Sequence, residues 1–238
     1  MSPSQEKGDS LNIQNLFDAV TSRYDFMNDV MSFGLHRYWK KAFIDLIPQT
    51  PKLTLLDIAS GTGDIAFGFL KKSQDLNSKV TLFDLSEKMI HYSKDRAINE
   101  NIKGDLTWEL GQAESLPFPD NSFDVCTVSF GLRNFKDRER SLSEIYRVLK
   151  PKGTFLCLEF SQPQGEISTL YDLYLSSVIP KMGKVFSKNE GAYTYLAESI
   201  QKFPGAEELK FMIEREGFKS ASYIRLNKGI VAIHRGWK

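Results

Sequence analysis

At 238 residues, with 41% hydrophobic and 26% charged side chains, the chain is long enough for one large or two small folded domains and too apolar to be disordered. A formal net charge of +1 gives no case for the concentrated basic face that bulk nucleic-acid binding requires. Cys126 and Cys157 lie in apolar runs without CxxC or Cys/His spacing, and His36, His91 and His234 add no ligand pattern, so buried thiols in a reducing compartment and no metal are expected.

No apolar run reaches the roughly 18 residues of a membrane span, and the polar start over residues 1–11 has neither a signal-peptide core nor an Arg-rich transit pattern. The expectation is a soluble cytoplasmic protein. Ile13, Leu16, Phe17 and Val20 recur at helical spacing, and a second helix is predicted over 38–46, ending before Pro48. Strand and helix patterns then alternate. Strands are predicted at 53–59, 79–85, 106–110, 123–130 and 154–160, and helices at 64–73, 87–99 and 137–149. This alternation implies a parallel sheet covered by helices on both faces. Residues 167–203 read as helical and aromatic-rich, and a helix at 206–216 leads into strands at 219–226 and 230–234. Asn227, Lys228 and Gly229 between those strands make a tight hairpin turn.

The chemistry starts at residues 55–64, where an apolar strand meets Asp57 and turns through Gly61, Thr62 and Gly63 into a helix. Glycines at such a turn admit a ligand to the backbone, and open parallel sheets place ligands at this strand end. Gly61-x-Gly63-x-x-Ala66 also satisfies a relaxed dinucleotide fingerprint, and Asp84 stands near the distance of a ribose-binding acid. Asp57 separates the readings. A carboxylate repels a diphosphate, whereas S-adenosylmethionine carries a sulfonium and an ammonium. The plain alternative is a tight turn in which Asp57 and Asp64 bond local amides.

Five parallel strands closed by an antiparallel hairpin resemble the single Rossmann-like domain of class I methyltransferases: α/β, a mixed seven-stranded sheet with helices on both faces. Residues 111–118 look like the loop that holds adenine in those enzymes, with Gln112 and the backbone of Ala113 as contacts, and 123–130 looks like the fourth strand, with Ser129 near the ligand. Residues 24–39 and 147–161 resemble two signatures of the ubiquinone/menaquinone biosynthesis C-methyltransferase family, and Phe130 to Asn134 is a further hallmark. The resemblance covers residues 12–238, with 12–50 as an N-terminal helical lid and 165–205 as a substrate insertion. Lys152 departs from the Gly or Met that the family normally carries before Gly153, which predicts altered local geometry rather than lost activity.

The resemblance implies transfer of a methyl group from S-adenosylmethionine to a ring carbon of a polyprenylated quinol. It implies Arg133 as the group facing the developing phenolate, Tyr24 as orienting the quinol or relaying its proton, and Asn134 as fixing an oxygen or water. The alternatives are an ion pair of Arg133 with an acid such as Asp137, and an anchoring role for Tyr24. His36 opens a helix, where a cap or packing role is at least as good a reading as a base. Leu170, Leu173, Tyr174, Val178, Ile179 and Met182 are candidates for a prenyl groove, with Phe186 and 193–196 nearby; a plain apolar core is the competing reading. A quinol substrate is compatible with peripheral contact with the inner membrane or other quinone-biosynthesis enzymes, and the 167–195 segment with a homodimer contact. Competing functions are another small hydrophobic acceptor, a non-catalytic S-adenosylmethionine-binding accessory subunit and, last, a nicotinamide oxidoreductase.

Overall fold

The alternating strand and helix patterns form one sheet of seven strands in the order β3-β2-β1-β4-β5-β7-β6. The computed structural model describes residues 29, 32, 34–73, 77–163, 165–179 and 190–238; the helix expected around Ile13 to Val20 lies outside them. Helix α1 spans Leu35–Asp45, β1 Thr54–Ile58, α2 Asp64–Lys72, β2 Lys79–Asp84 and α3 Glu87–Asn99. There follow β3 (Asp105–Leu110), β4 (Phe123–Ser129), a 3-10 turn (Leu132–Asn134), α4 (Arg138–Val148) and β5 (Leu149–Phe160). Helix α5 (Glu166–Leu173) runs into a π turn (Tyr174–Val178), and α6 (Glu190–Gln201), α7 (Ala206–Arg215), β6 (Lys219–Leu226) and β7 (Val231–Trp237) complete the chain.

Strands β1 to β5 pair in parallel, and β7 runs antiparallel to both β5 and β6, so the expected C-terminal hairpin is present. Continuous apolar runs in β1, β4 and β5 suit strands buried on both faces. Leu56, Val128 and Phe155 pack on one side with Leu142 and Ile213, while Leu55, Val125 and Leu156 pack on the other with Phe43 and Phe67. Helix α3 is capped by Ser86, whose Oγ accepts from Met89 N–H, and α4 by Asp137, which accepts from Arg140 N–H. Strand order reverses between β1 and β4. In open α/β sheets that crevice is where ligands bind.

Strand β5 starts five residues earlier than the pattern predicts. Leu149 pairs with Phe123, and pairing resumes at Thr154 with Val125, so residues 150–153 bulge between two paired stretches. Pro151, Lys152 and Gly153 read as a turn because locally they are one. Lys152 has φ 68, the left-handed region that glycine occupies freely, and its N–H donates to the Lys238 carbonyl at 3.0 Å. The lysine bears the strain of this conformation. A left-handed residue with a Cβ costs roughly 1–2 kcal/mol, of which glycine's larger chain entropy returns about half. Lys152→Gly is therefore expected to raise stability by about 1 kcal/mol, or about 2–4 °C in melting temperature for a domain of this size. An unchanged or lower thermal midpoint would remove this account of the bulge.

Candidate active site

After β1 the chain turns sharply. Ala59 takes φ 53, and the Gly63 N–H donates back to the Ser60 carbonyl at 2.9 Å. Gly61 (φ 52) has nothing within 4 Å of where a Cβ would stand, so the backbone is open to a ligand on that side. At Gly63 (φ 87) a Cβ would come within 2.6 Å of the Phe67 ring. Phe130, immediately after β4, is also left-handed at φ 54, and a Cβ on Gly131 would come within 2.5 Å of the Ala59 Cβ. The ends of β1 and β4 are thus pressed together at the crevice, with strain of the kind that clusters at functional sites.

Three acids surround this turn, each in a different electrostatic state. Asp64 opens α2 and is gripped by Lys40 of α1 at 2.6 Å and by Arg96 of α3, whose Nη1 also donates to the Thr62 carbonyl. Those two cations hold its carboxyl well below the usual carboxylate range, against the opposing effect of burial. Asp84, at the end of β2, accepts from Gly61 N–H at 2.8 Å and from Ser86 N–H at 2.9 Å. It therefore holds the glycine turn in place. Asp57 is 1% exposed. Burial pushes its carboxyl up to about 7, opposed by hydrogen bonds from Thr127 and the Ala66 amide and aided by the charges of Asp84 and Asp64. Thr127 Oγ1 donates to Oδ1 at 2.7 Å, while Oδ2 has no partner among the described residues.

The remaining residues expected at the donor site lie along the same sheet edge. Thr62 is buried in the turn, Ser129 closes β4, and Gln112 and Ala113 follow β3. Their loop is fixed from α4: Glu144 accepts from Leu116 N–H, and Arg147 donates to the Leu116 and Phe118 carbonyls. The hydroxyls of Ser60 and Ser129 are buried without hydrogen-bond partners among the described residues, like Asp57 Oδ2. Buried polar groups in native structures are almost always paired, so three orphans around an open glycine turn fit a polar ligand. An uncompensated carboxyl among further acids fits a cationic one. S-Adenosylmethionine meets both conditions.

On the other side of β4, Arg133 is 6% exposed on the 3-10 turn. Its partner is not Asp137, which caps α4, but Glu159 of β5. Arg133 Nη1 donates to Glu159 Oε1 at 2.8 Å and to the Phe130 carbonyl at 2.6 Å, and the Arg133 N–H donates to Glu159 Oε2 at 3.2 Å. The guanidinium lies 5.4 Å from the Phe160 ring centroid. Phe160, Phe130 and Trp39 form an aromatic floor, with centroids 4.9 Å apart for the two phenylalanines and 6.2 Å from Trp39 to each. Trp39 Nε1–H also donates to Asn227 Oδ1 in the β6–β7 turn. Asn134 Oδ1 accepts from the Tyr195 hydroxyl at 3.1 Å, which orients its amide. Tyr24 lies outside the described residues.

Other expectations change. His36 is a packing residue: it is buried, its Nε2 bonds Asp29 at 2.8 Å, and burial lowers its pKa. Of the apolar residues considered for a groove, Leu170 and Leu173 are 67% and 58% exposed and Val178 is exposed as well, whereas Ile179 is buried. The inward side of α5 and the π turn is formed by Tyr171, Leu175 and the expected Ile179, packed on Tyr193, Leu196 and Ile200 of α6. Met182 and Phe186 lie outside the described residues. Glu159, Tyr171 and Trp39 were not singled out from the sequence. Only Glu159 carried a signal, as a lone acid inside an apolar strand, which demands a buried partner.

Residues 4–238 match the model of the ubiE/COQ5 methyltransferase family. A ubiquinone/menaquinone biosynthesis C-methyltransferase UbiE of Hydrogenovibrio crunogenus is 46% identical over 95% of this chain and 89% of its own. The protein of the same name from Ruegeria sp. is 46% identical over 99% of this chain and 93% of its own. Among solved structures, a SAM-dependent methyltransferase of Thermotoga maritima superposes with a TM-score of 0.65 at 21% identity, covering 94% of this chain and 99% of that one. Phosphoethanolamine N-methyltransferase 2 of Haemonchus contortus, solved with S-adenosyl-L-methionine, gives 0.63 at 17% identity over 84% of this chain and 52% of that one. At those identities the structures speak for the fold alone.

Proposed function

Because the chain belongs to the ubiE/COQ5 methyltransferase family, we propose that it transfers the methyl group of S-adenosylmethionine to a ring carbon of a polyprenylated quinol in ubiquinone or menaquinone biosynthesis. The observation that supports this most is the pair of buried groups left open on either side of β4, an acceptor at Asp57 Oδ2 and a donor at Arg133 Nε. An uncompensated carboxyl, Asp57, suits a sulfonium on one side, and a buried guanidinium, Arg133, suits a phenolate on the other.

The donor supplies an electrophilic methyl; the ring carbon bonds to it as the carbon–sulfur bond breaks, and the ring then loses a proton to regain aromaticity. Asp57, Gly61, Thr62 and Gly63 are the proposed cradle for the amino-acid end, Asp84 for the ribose, and Gln112, Ala113 and Ser129 for the base and its surroundings. The reduced ring matters because its oxygens push electron density onto the ortho carbon. Arg133 stabilises the phenolate that does so, and Asn134, turned by Tyr195, and Tyr24 hold the oxygens. Glu159 positions Arg133. The aromatic floor of Trp39, Phe130 and Phe160 suits a flat ring.

No helix among the described residues is long and apolar enough to cross a membrane. The outward Leu170, Leu173 and Val178 favour a peripheral contact, with the inner-membrane surface as the source of a prenylated substrate and a homodimer as the competing use of that face. The test is incubation with methyl-labelled S-adenosylmethionine and reduced demethylated benzoquinol or naphthoquinol, followed by mass analysis. One labelled methyl on a ring carbon is expected. No methylated quinol under reducing conditions overturns the reading.

A further inference from the structure

Helix α5 carries Tyr171 into the cluster that packs against Phe160, the ring over which the Arg133 guanidinium lies. The residue is 9% exposed, its ring sits among Leu175, Tyr193 and Leu196, and its hydroxyl has no hydrogen-bond partner among the described residues. The charges of both Arg133 and Glu159 act on that hydroxyl. Arg133 is only partly spent. Its Nη1 serves Glu159 and the Phe130 carbonyl, while its buried Nε–H has no acceptor among the described residues. Two buried donors on elements that meet at Phe160 therefore lack the same thing, an acceptor oxygen. The π turn directly after α5 fits a functional role, since such widened turns recur at binding sites.

Charge accounting sharpens the need. Glu159 already neutralises Arg133, so the pair offers an incoming phenolate a directed hydrogen bond but little net positive charge. A second, neutral donor makes up the difference. We propose, on the quinol reading above, that Tyr171 is a catalytic residue: its hydroxyl and the Arg133 Nε–H together donate to the acceptor's ring oxygen as that oxygen becomes a phenolate. Burial also raises the ionisation of the Tyr171 phenol above its ordinary range, which keeps it a donor at neutral pH and rules it out as the base.

Tyr171→Phe keeps the packed ring and removes an oxygen that has no partner, so it is expected to melt no lower than the parent. The first readout needs no turnover. 4-Nitrophenol is titrated with the full chain, and its phenolate absorbance is followed against pH. The parent is expected to hold the bound probe as phenolate below its free pKa, and Tyr171→Phe to lose about one pH unit of that shift, as for one hydrogen bond to a charged oxygen. In quinol methylation the variant is expected to lose about 10²-fold in kcat with the S-adenosylmethionine Kd unchanged. Tyr223→Phe, on the distant β6, is expected to match the parent throughout. A probe that fails to bind, or that ionises identically in parent and Tyr171→Phe, overturns the proposal. A Tyr171-dependent shift in a protein that methylates neither quinol overturns the quinol reading and leaves the donor pair standing.

Discussion

Asp57→Asn is expected to make the protein more stable and a poorer binder of S-adenosylmethionine, both by amounts that are easy to measure. The Asp57 carboxyl is pushed to about 7 by burial, from an ordinary value of 3.8. Its folded pKa is thus raised, so between pH 4 and 7 the native state binds a proton that the unfolded chain has released. Stability then falls as pH rises through that window and levels off above it. Three pH units correspond to about 4 kcal/mol. Asparagine removes the buried charge and keeps an acceptor for Thr127. Above pH 7 the variant should therefore melt about 10 °C higher, at roughly 2–4 °C per kcal/mol for a domain of this size.

Ligand binding carries the opposite sign. A cation beside Asp57 favours the carboxylate, so S-adenosylmethionine affinity should rise with pH up to about 7 and then flatten. In Asp57→Asn that dependence should vanish, and affinity above pH 7 should drop about 10- to 100-fold, the worth of a hydrogen bond to a charged group. Calorimetric titration across pH 5–9 decides it. A variant that melts lower at pH 8 and keeps the parental pH profile would show that the carboxyl is neither strained by burial nor relieved by the ligand.

The second large effect lies at Arg133 and Glu159, which are 4% and 1% exposed at the side chain. Breaking a buried pair from one side leaves an uncompensated charge and costs about 3–5 kcal/mol, whereas replacing both members by apolar residues is often close to neutral. Glu159→Gln should therefore be strongly destabilised. Arg133→Met with Glu159→Leu should recover most of the stability and none of the methyl transfer. Arg133→Lys should bind S-adenosylmethionine nearly normally and turn over poorly, because an ammonium that takes over the Nη1 bonds to Glu159 and the Phe130 carbonyl leaves no second donor nitrogen like Nε for the proposed acceptor. Equal loss of binding and turnover in Arg133→Lys would instead assign the pair to folding alone. Active double-variant protein would remove Arg133 from the chemistry.

The donor half of the proposed site could be assembled from the sequence because it is local. Strand, acid, glycines and helix follow one another within ten residues, and Asp84 ends the next strand, so spacing alone brings them to one edge. Strand ends fell within a residue or two where apolar runs were bounded by turns. They failed at β5, where a bulge hides pairing on both sides of Pro151 to Gly153, and at β7, which runs three residues past the predicted end at His234. The acceptor half was not readable from spacing. Arg133 meets Glu159 across 26 residues, and Tyr195 meets Asn134 across 61. Asp137 was the nearer acid in sequence, but as an N-cap its carboxylate is committed to the α4 amides. Leu170 and Leu173 fit a groove by composition, yet which face of α5 turns inward is decided by its packing against α6.

Helix α1 holds two consecutive residues that reach different halves of the proposed site. Trp39 packs on Phe130 and Phe160 on the acceptor side, while Lys40 grips Asp64 at the head of α2 on the donor side. A rigid helix so pinned cannot tilt toward one ligand without moving its anchor on the other. Any free energy that one ligand gains by seating α1 is then available to the second, and thermodynamic reciprocity makes the benefit equal in both directions. The two substrates would bind as a cooperative couple, through a helix on which neither half of the chemistry is performed.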